Sequence, residues 1–224
     1  MALGLASAKI LTRRGAAWFR RAHRAVAGLA MLGLAATGAQ ARQWKIVAFG
    51  DSLSAGYLLP QSAAFPAVLE KVLRDKGFDA RVGNASVSGD TVAGGLERID
   101  WALAEGADVV ILELGANDML RGFDPARTQA GLDKLIATIK ARGARVLLAG
   151  MRATPSLGAD FVTRFDAIYP ALAKQHDVPL YPFFLDGVAG DAGLILKDGL
   201  HPNKRGVERI VSGIEPSVEA LLRE

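Results

Sequence analysis

The sequence contains no cysteine among its 224 residues. That excludes disulfide bonds, thiolate metal sites, a cysteine nucleophile and a lipid-anchored cysteine at a processing site. Histidine is almost as scarce, with only His23, His176 and His201, which leaves little imidazole for a metal centre. Acidic residues are missing altogether from the first 41 positions. The apolar stretch there, Ala25 to Ala36, is too short to span a bilayer comfortably. No glycine-rich phosphate fingerprint of the dinucleotide or P-loop kind is present. Residues 42–224 hold no internal repeat, low-complexity stretch or proline-rich linker.

Residues 1–41 carry Lys9, Arg13, Arg14, Arg20, Arg21 and Arg24, then the apolar stretch, then "TGAQA". That pattern predicts a secretory signal peptide with cleavage after Ala41; "TRRGAAWF" has the paired arginines of a twin-arginine leader. An uncleaved leader acting as a membrane anchor is the alternative. These residues hold six of the 27 Lys and Arg and none of the 23 Asp and Glu, so their removal turns a formal charge of +4 into −2. The basic balance belongs to the leader, and a nucleic-acid partner, which needs a lasting basic face, is excluded. The expectation is one soluble domain over 42–224, periplasmic or secreted, without stable membrane insertion.

Within that domain, apolar runs bounded by turn residues alternate with segments of helical period, the pattern of an α/β fold with a parallel sheet covered by helices. Strands are predicted at Lys45 to Phe49, Ala80 to Asn84, Asp108 to Leu114, Arg145 to Ala149 and, more weakly, near Leu180. Pro179 and Pro182 flank the last and predict an edge position. Helical spacing joins Phe65, Val68, Leu69, Val72 and Leu73; Leu96, Ile99 and Leu103; and Leu132, Leu135, Ile136 and Ile139. It recurs over Phe161, Phe165, Ile168 and Leu172, and over Val207, Ile210, Val211 and Ile214, with Pro216 expected to kink or end the last helix. Asp90 with Thr91, and Asp124 with Pro125, read as helix starts.

Ligands of open parallel sheets bind at the carboxyl ends of the strands. "GDSLSAG" follows the first strand, "NASVSGDT" the second and "GANDM" the third, while "KDGLHPN" precedes the final helix. Each is ordinary turn chemistry when taken alone. Together they contain what acyl transfer by serine requires: a hydroxyl nucleophile, a base, a carboxylate to hold the base, and donors for the oxyanion. Ser52, His201 and Asp198 supply the first three. The N–H groups of Ser52 and Gly89 and the side-chain amide of Asn117 supply the donors. His201 is the base by elimination, since His23 leaves with the leader and His176, near a helix end in "AKQHDVP", suits a structural role. Asp51 and Asp118 read as turn-setting residues. Glu113, inside the most apolar strand, needs hydrogen-bond partners if buried and has no assigned role.

"GDSLS", the glycine of "ASVSGDT", "GAND" and "DGLHP", in that order, resemble the four sequence blocks of the GDSL, or SGNH, hydrolases. "LELGANDMLRGF", "AIYP" and "DVPLYPFF" extend the likeness to the family's bacterial thioesterase I, lysophospholipase and arylesterase branch. The resemblance implies a flavodoxin-like doubly wound sheet of about five strands and no metal or organic cofactor. It implies Ser52 as nucleophile, His201 as base, Asp198 as its orienting acid, and Ser52, Gly89 and Asn117 as the oxyanion hole, acting on a small-molecule acyl ester or thioester. "MRATPSLG" and "LDGVAGDAGLIL" are where the substrate pocket is expected to vary. The alternatives are a carbohydrate acetylesterase with the same triad and a metal-dependent phosphoesterase using Asp51, Asn117, Asp118 and His201. A non-enzymatic binding module and an α/β-hydrolase are weaker, the latter because "GDSLS" lacks the G-x-S-x-G elbow.

Overall fold

A computed structural model describes residues 43–223. The expected signal peptide and its cleavage position after Ala41 lie outside the described residues. Five strands form one sheet: β1 (Trp44–Gly50), β2 (Ala80–Asn84), β3 (Val109–Glu113), β4 (Arg145–Ala149) and β5 (Leu180–Tyr181). All adjacent pairs are parallel, in the order β2-β1-β3-β4-β5. This is the flavodoxin-like doubly wound order, whose direction of winding reverses between β1 and β3. Every residue of β3 is buried, as expected of an unbroken Val/Ile/Leu run covered on both faces. β5 is two residues long and stands at the edge, where the flanking prolines remove no needed donor.

The helices are α1 (Ser52–Ala55), α2 (Phe65–Asp75), α3 (Val92–Ala102), α4 (Ala116–Leu120), α5 (Pro125–Ala141), α6 (Ala159–Asp166), α7 (Ile168–His176) and α8 (Lys204–Arg223). Parallel crossovers are right-handed, which puts α2 and α8 together on one face and α3, α5 and α7 on the other. The predicted stripes do the packing: Phe65, Leu69 and Leu73 of α2, and Leu132, Leu135, Ile136 and Ile139 of α5, have no exposed surface. Each such side chain contributes roughly 1.5–3 kcal/mol by leaving water. Thr91 and Asp124 cap α3 and α5 by accepting from Gly94 N and Ala126 N.

Two helical readings are adjusted. The apolar period from Phe161 to Leu172 spans two helices, broken at Ala167. Pro170 has no N–H to extend α6, but it is tolerated in the first turn of a new helix, where no intrahelical partner is required. In contrast, α8 does not end at Pro216 but continues to Arg223. Val218, Leu221 and Leu222 prolong the buried stripe beyond it, and their burial offsets the roughly 3 kcal/mol that an interior proline costs.

Candidate active site

The polar loops after β1, β2 and β3 lie side by side because the parallel register puts those strand ends at one edge. Gly50, the last residue of β1, stands opposite Glu113, the last residue of β3. The approach is close: a Cβ on Gly50 would fall 2.5 Å from Glu113 Oε2 and 2.9 Å from Ser54 Oγ. Only glycine fits there. Asp51 then caps α1, its Oδ1 accepting from Leu53 N at 3.0 Å, and Gly56 ends the helix in the left-handed conformation (φ 83°). Ser52 thus becomes the first residue of a one-turn helix, half-buried, at the mouth of a cleft.

The loop before α8 brings the partners. An antiparallel bridge joins Ile195 to Pro202, and Leu196 N donates to His201 O at 2.7 Å. Asn203 braces the loop through Nδ2 to Gly193 O and Ile195 O, while its Oδ1 accepts from Gly206 N to cap α8. Within the loop, Asp198 Oδ1 accepts from Leu200 N at 3.0 Å and His201 N at 3.1 Å. Its Oδ2 is 2.7 Å from His201 Nδ1, and His201 Nε2 is 2.8 Å from Ser52 Oγ. A carboxylate can only accept, so Nδ1 carries the proton toward Asp198 and Nε2 is left to accept the Ser52 hydroxyl. The backbone N–H groups of Leu200 and His201, and then the imidazole, lower the Asp198 pKa from 3.8 to about 2.

Gly89 takes φ +85°, a conformation suited to glycine. Its loop is tied to the end of α4 by Arg121, which donates to Gly89 O at 2.9 Å, and to β1 by Arg98, which bridges Gly50 O and Asp90 Oδ2. The N–H groups of Ser52 and Gly89 have no acceptor among the described residues. Asn117 donates from Nδ2 to Asp51 Oδ2 at 3.0 Å, which uses one of its two amide hydrogens. All three residues line the same cleft.

The floor of the site holds carboxylic acids that are wholly enclosed. Glu113 Oε2 accepts from Ser54 Oγ at 2.7 Å and Asp51 N at 3.4 Å, while Oε1 has no partner. Burial, and then the neighbouring Asp51 charge, raise the Glu113 pKa well above 4.5. Burial also raises Asp51, to about 6, against the lowering effect of Leu53 N–H and the Asn117 amide. Both carboxyls are thus pushed toward the neutral form, chiefly by burial. The expected partners of Glu113 are found. Asp118, likewise raised by burial, accepts from Val92 N at 2.9 Å and Thr128 Oγ1 at 3.5 Å, the structural role expected of it. Asp51 and Asp118 thus spend their oxygens on separate protein donors, and among the described residues no group of three or more His, Asp or Glu is arranged to hold a metal ion. His176, at the end of α7, pairs with Asp133 at 2.5 Å, away from the cleft residues.

The cleft has a volume of about 860 Å³. Apolar side chains dominate its wall, among them Leu53, Met119, Met151, Phe183, Leu185 and Ile195. "MRATPSLG" and "LDGVAGDAGLIL" both contribute, as anticipated for the substrate pocket. Tyr57 was not singled out from sequence, yet its ring lies 4.4 Å from that of His201 at a 35° tilt. Its place just past the Ser52 turn was the available signal. Arg152, within "MRATPSLG", lines the cleft with its guanidinium 5.2 Å from the Phe183 ring.

A hydroxyl joined to an imidazole joined to a carboxylate, beside three free N–H donors, can carry out nucleophilic acyl transfer. Known proteins point the same way. Residues 48–209 match the model of the GDSL-like lipase/acylhydrolase family. Esterase TesA of Pseudomonas aeruginosa is 42% identical over 184 residues, covering 82% of this chain and 92% of that protein. Thioesterase 1/protease 1/lysophospholipase L1 of Escherichia coli K12 is 40% identical over 178 residues, covering 79% and 84%. The solved structure of AlinE4, an SGNH-hydrolase family esterase, superposes with a TM-score of 0.68 at 46% identity, covering 81% of this chain and 97% of its own. On sequence, fold and the ordered arrangement of its four loops alike, this chain belongs to the GDSL-like lipase/acylhydrolase family.

Proposed function

We propose that this ester hydrolase works through an acyl-Ser52 intermediate, with His201 as general base and acid, Asp198 as its orienting carboxylate, and Ser52 N–H, Gly89 N–H and the Asn117 amide as oxyanion donors. The observation that carries the reading is the continuous path from Ser52 Oγ to His201 Nε2 (2.8 Å) and from His201 Nδ1 to Asp198 Oδ2 (2.7 Å) at the mouth of an apolar cleft. As Oγ attacks the substrate carbonyl carbon, its proton passes to Nε2, and Asp198 stabilises the imidazolium that forms. The carbonyl oxygen gains negative charge opposite the three N–H groups. Collapse expels the alcohol or thiol, which takes the proton from Nε2. Water then attacks the acyl-serine by the same route in reverse, releasing the carboxylic acid and restoring the hydroxyl.

The substrates we assign are acyl esters and thioesters with an apolar acyl group, of the arylester, thioester or lysophospholipid kind. The apolar wall supports an acyl chain in the cleft and weighs against an acetylated carbohydrate, which would offer its polar rings to that wall. The E. coli relative, named for both thioesterase and lysophospholipase activity, supports leaving groups of more than one chemistry. Among the described residues no helix is long and apolar enough to cross a membrane. We assign residues 1–41 to an export signal and the enzyme to the periplasm or the medium. Amino-terminal sequencing of the exported protein tests this, with Arg42 expected first.

Ser52→Ala tests the mechanism. Turnover of p-nitrophenyl esters, a lysophospholipid and an acyl thioester should fall together by roughly 10⁶-fold, with an unchanged circular dichroism spectrum. A folded Ser52→Ala protein that still hydrolyses any of them removes Ser52 from the mechanism.

A further inference from the structure

Asp51 has no exposed surface and uses both carboxylate oxygens at once. Oδ1 accepts the Leu53 N–H that begins α1, and Oδ2 accepts the Asn117 amide from the loop after β3. The first bond is a helix cap. The second reaches across the sheet edge and holds the group to which the reading above gives an oxyanion role.

We propose that Asp51 is a positioning residue that acts through Asn117, holding one amide hydrogen so that the other is aimed at the oxyanion. A primary amide is planar, so fixing the direction of one N–H fixes the second at roughly 120° to it. Without the anchor the Asn117 amide can rotate, and its carbonyl oxygen can face the developing negative charge and oppose it. Only an acceptor can serve as anchor, and a carboxylate accepts at both oxygens where an asparagine accepts at one. The anchor is itself braced: Asp51 N donates to Glu113 Oε2, and Gly50 is pressed against the same carboxyl. Glu113 holds the backbone of Asp51, Asp51 holds the amide of Asn117, and the amide meets the substrate. The inference rests on Asn117 being an oxyanion donor.

The competing account is that Asp51 only caps α1. Asp51→Ser separates the two, because serine is a good N-cap whose shorter side chain gives up the bond to Asn117. Steady-state kinetics on a p-nitrophenyl ester should be compared for the wild type, Asp51→Ser, Asn117→Ala and the double variant. We expect Asp51→Ser to lower kcat by at least about 10-fold and toward the 10²–10³-fold loss of a missing oxyanion donor, with KM nearly unchanged. The double variant should be no slower than Asn117→Ala alone. Wild-type kcat in Asp51→Ser, or losses that multiply in the double variant, overturn the positioning role. Wild-type kcat in Asn117→Ala instead overturns the oxyanion assignment beneath it. A readout that needs no Asp51 variant to fold is side-chain amide NMR of the wild type, with the Asn117 signals identified by their loss in Asn117→Ala. One hydrogen protected from exchange and one open is the expected result; two equally open hydrogens contradict the anchor.

Discussion

Asp198 and Glu113 are both carboxylic acids of one site, one on the rim of the cleft and one in its floor, and they are driven in opposite directions. Asp198 sits in a loop with a third of its side chain exposed and accepts two backbone N–H groups and the His201 ring, so its charge is favoured. Glu113 is enclosed by β1, β3 and α1, has one oxygen with no partner, and faces Asp51, so its charge is disfavoured. Hydrogen-bond donors decide the first case and desolvation the second. The rim therefore favours an anion beside the imidazole. The floor holds a carboxyl whose neutral form is favoured and which accepts from Asp51 N and Ser54 Oγ in the Ser52 turn.

Converting the rim to a neutral group breaks the comparison with the largest effect. Asp198→Asn should lower kcat by about 10⁴-fold, because an amide can hold the imidazole in the wrong tautomer. The melting temperature should move little, since the loop keeps its backbone bridges. A loss of less than ten-fold would show that Asp198 does not control the imidazole.

The floor should respond in stability more than in chemistry. Glu113→Ala leaves the Ser54 hydroxyl and Asp51 N–H without their acceptor and opens a void, at a cost of roughly 2–5 kcal/mol in denaturant unfolding. Glu113→Gln keeps the shape and a neutral acceptor and should remain within about 1 kcal/mol of the wild type at pH 7. Equal destabilisation by both variants would show that Glu113 needs its charge.

The smallest effect is the pH dependence of stability, and it has opposite signs in the two regions. The folded state holds the Glu113 proton after the unfolded chain has lost it. This acid therefore stabilises the fold fully below 4.5, and its contribution declines as pH rises above that value. Asp51 acts in the same direction between 3.8 and about 6. Asp198 does the reverse, stabilising above 3.8 and ceasing to do so as pH falls toward about 2. Urea titrations of Glu113→Gln at pH 4 and pH 7 should show it gaining on the wild type at the higher pH. A gain at the lower pH would contradict the upward shift of Glu113.

Much of this was readable from local sequence. The Val109–Leu112 run marked the buried centre of the sheet, Pro179 and Pro182 marked its edge, and Asp124-Pro125 marked the start of α5. Each is a property of a few adjacent residues. Of the two outcomes expected at Pro216, a kink or an end, the end does not occur, because a buried stripe beyond the proline carries α8 past it. Tyr57 was missed for a related reason, since its contact with the His201 ring joins residues far apart in the chain.

By itself the sequence determined the residue types of the site, their order along the chain and the α/β alternation, because periodicity, capping and turn preference are set by near neighbours. The tertiary structure alone decided that β1 and β3 lie side by side, so that Gly50 meets Glu113 and Asp51 reaches Asn117. Strand order and register arise from packing the whole sheet against its helices, and a carboxyl group's charge depends on which donors and how much water that packing leaves around it.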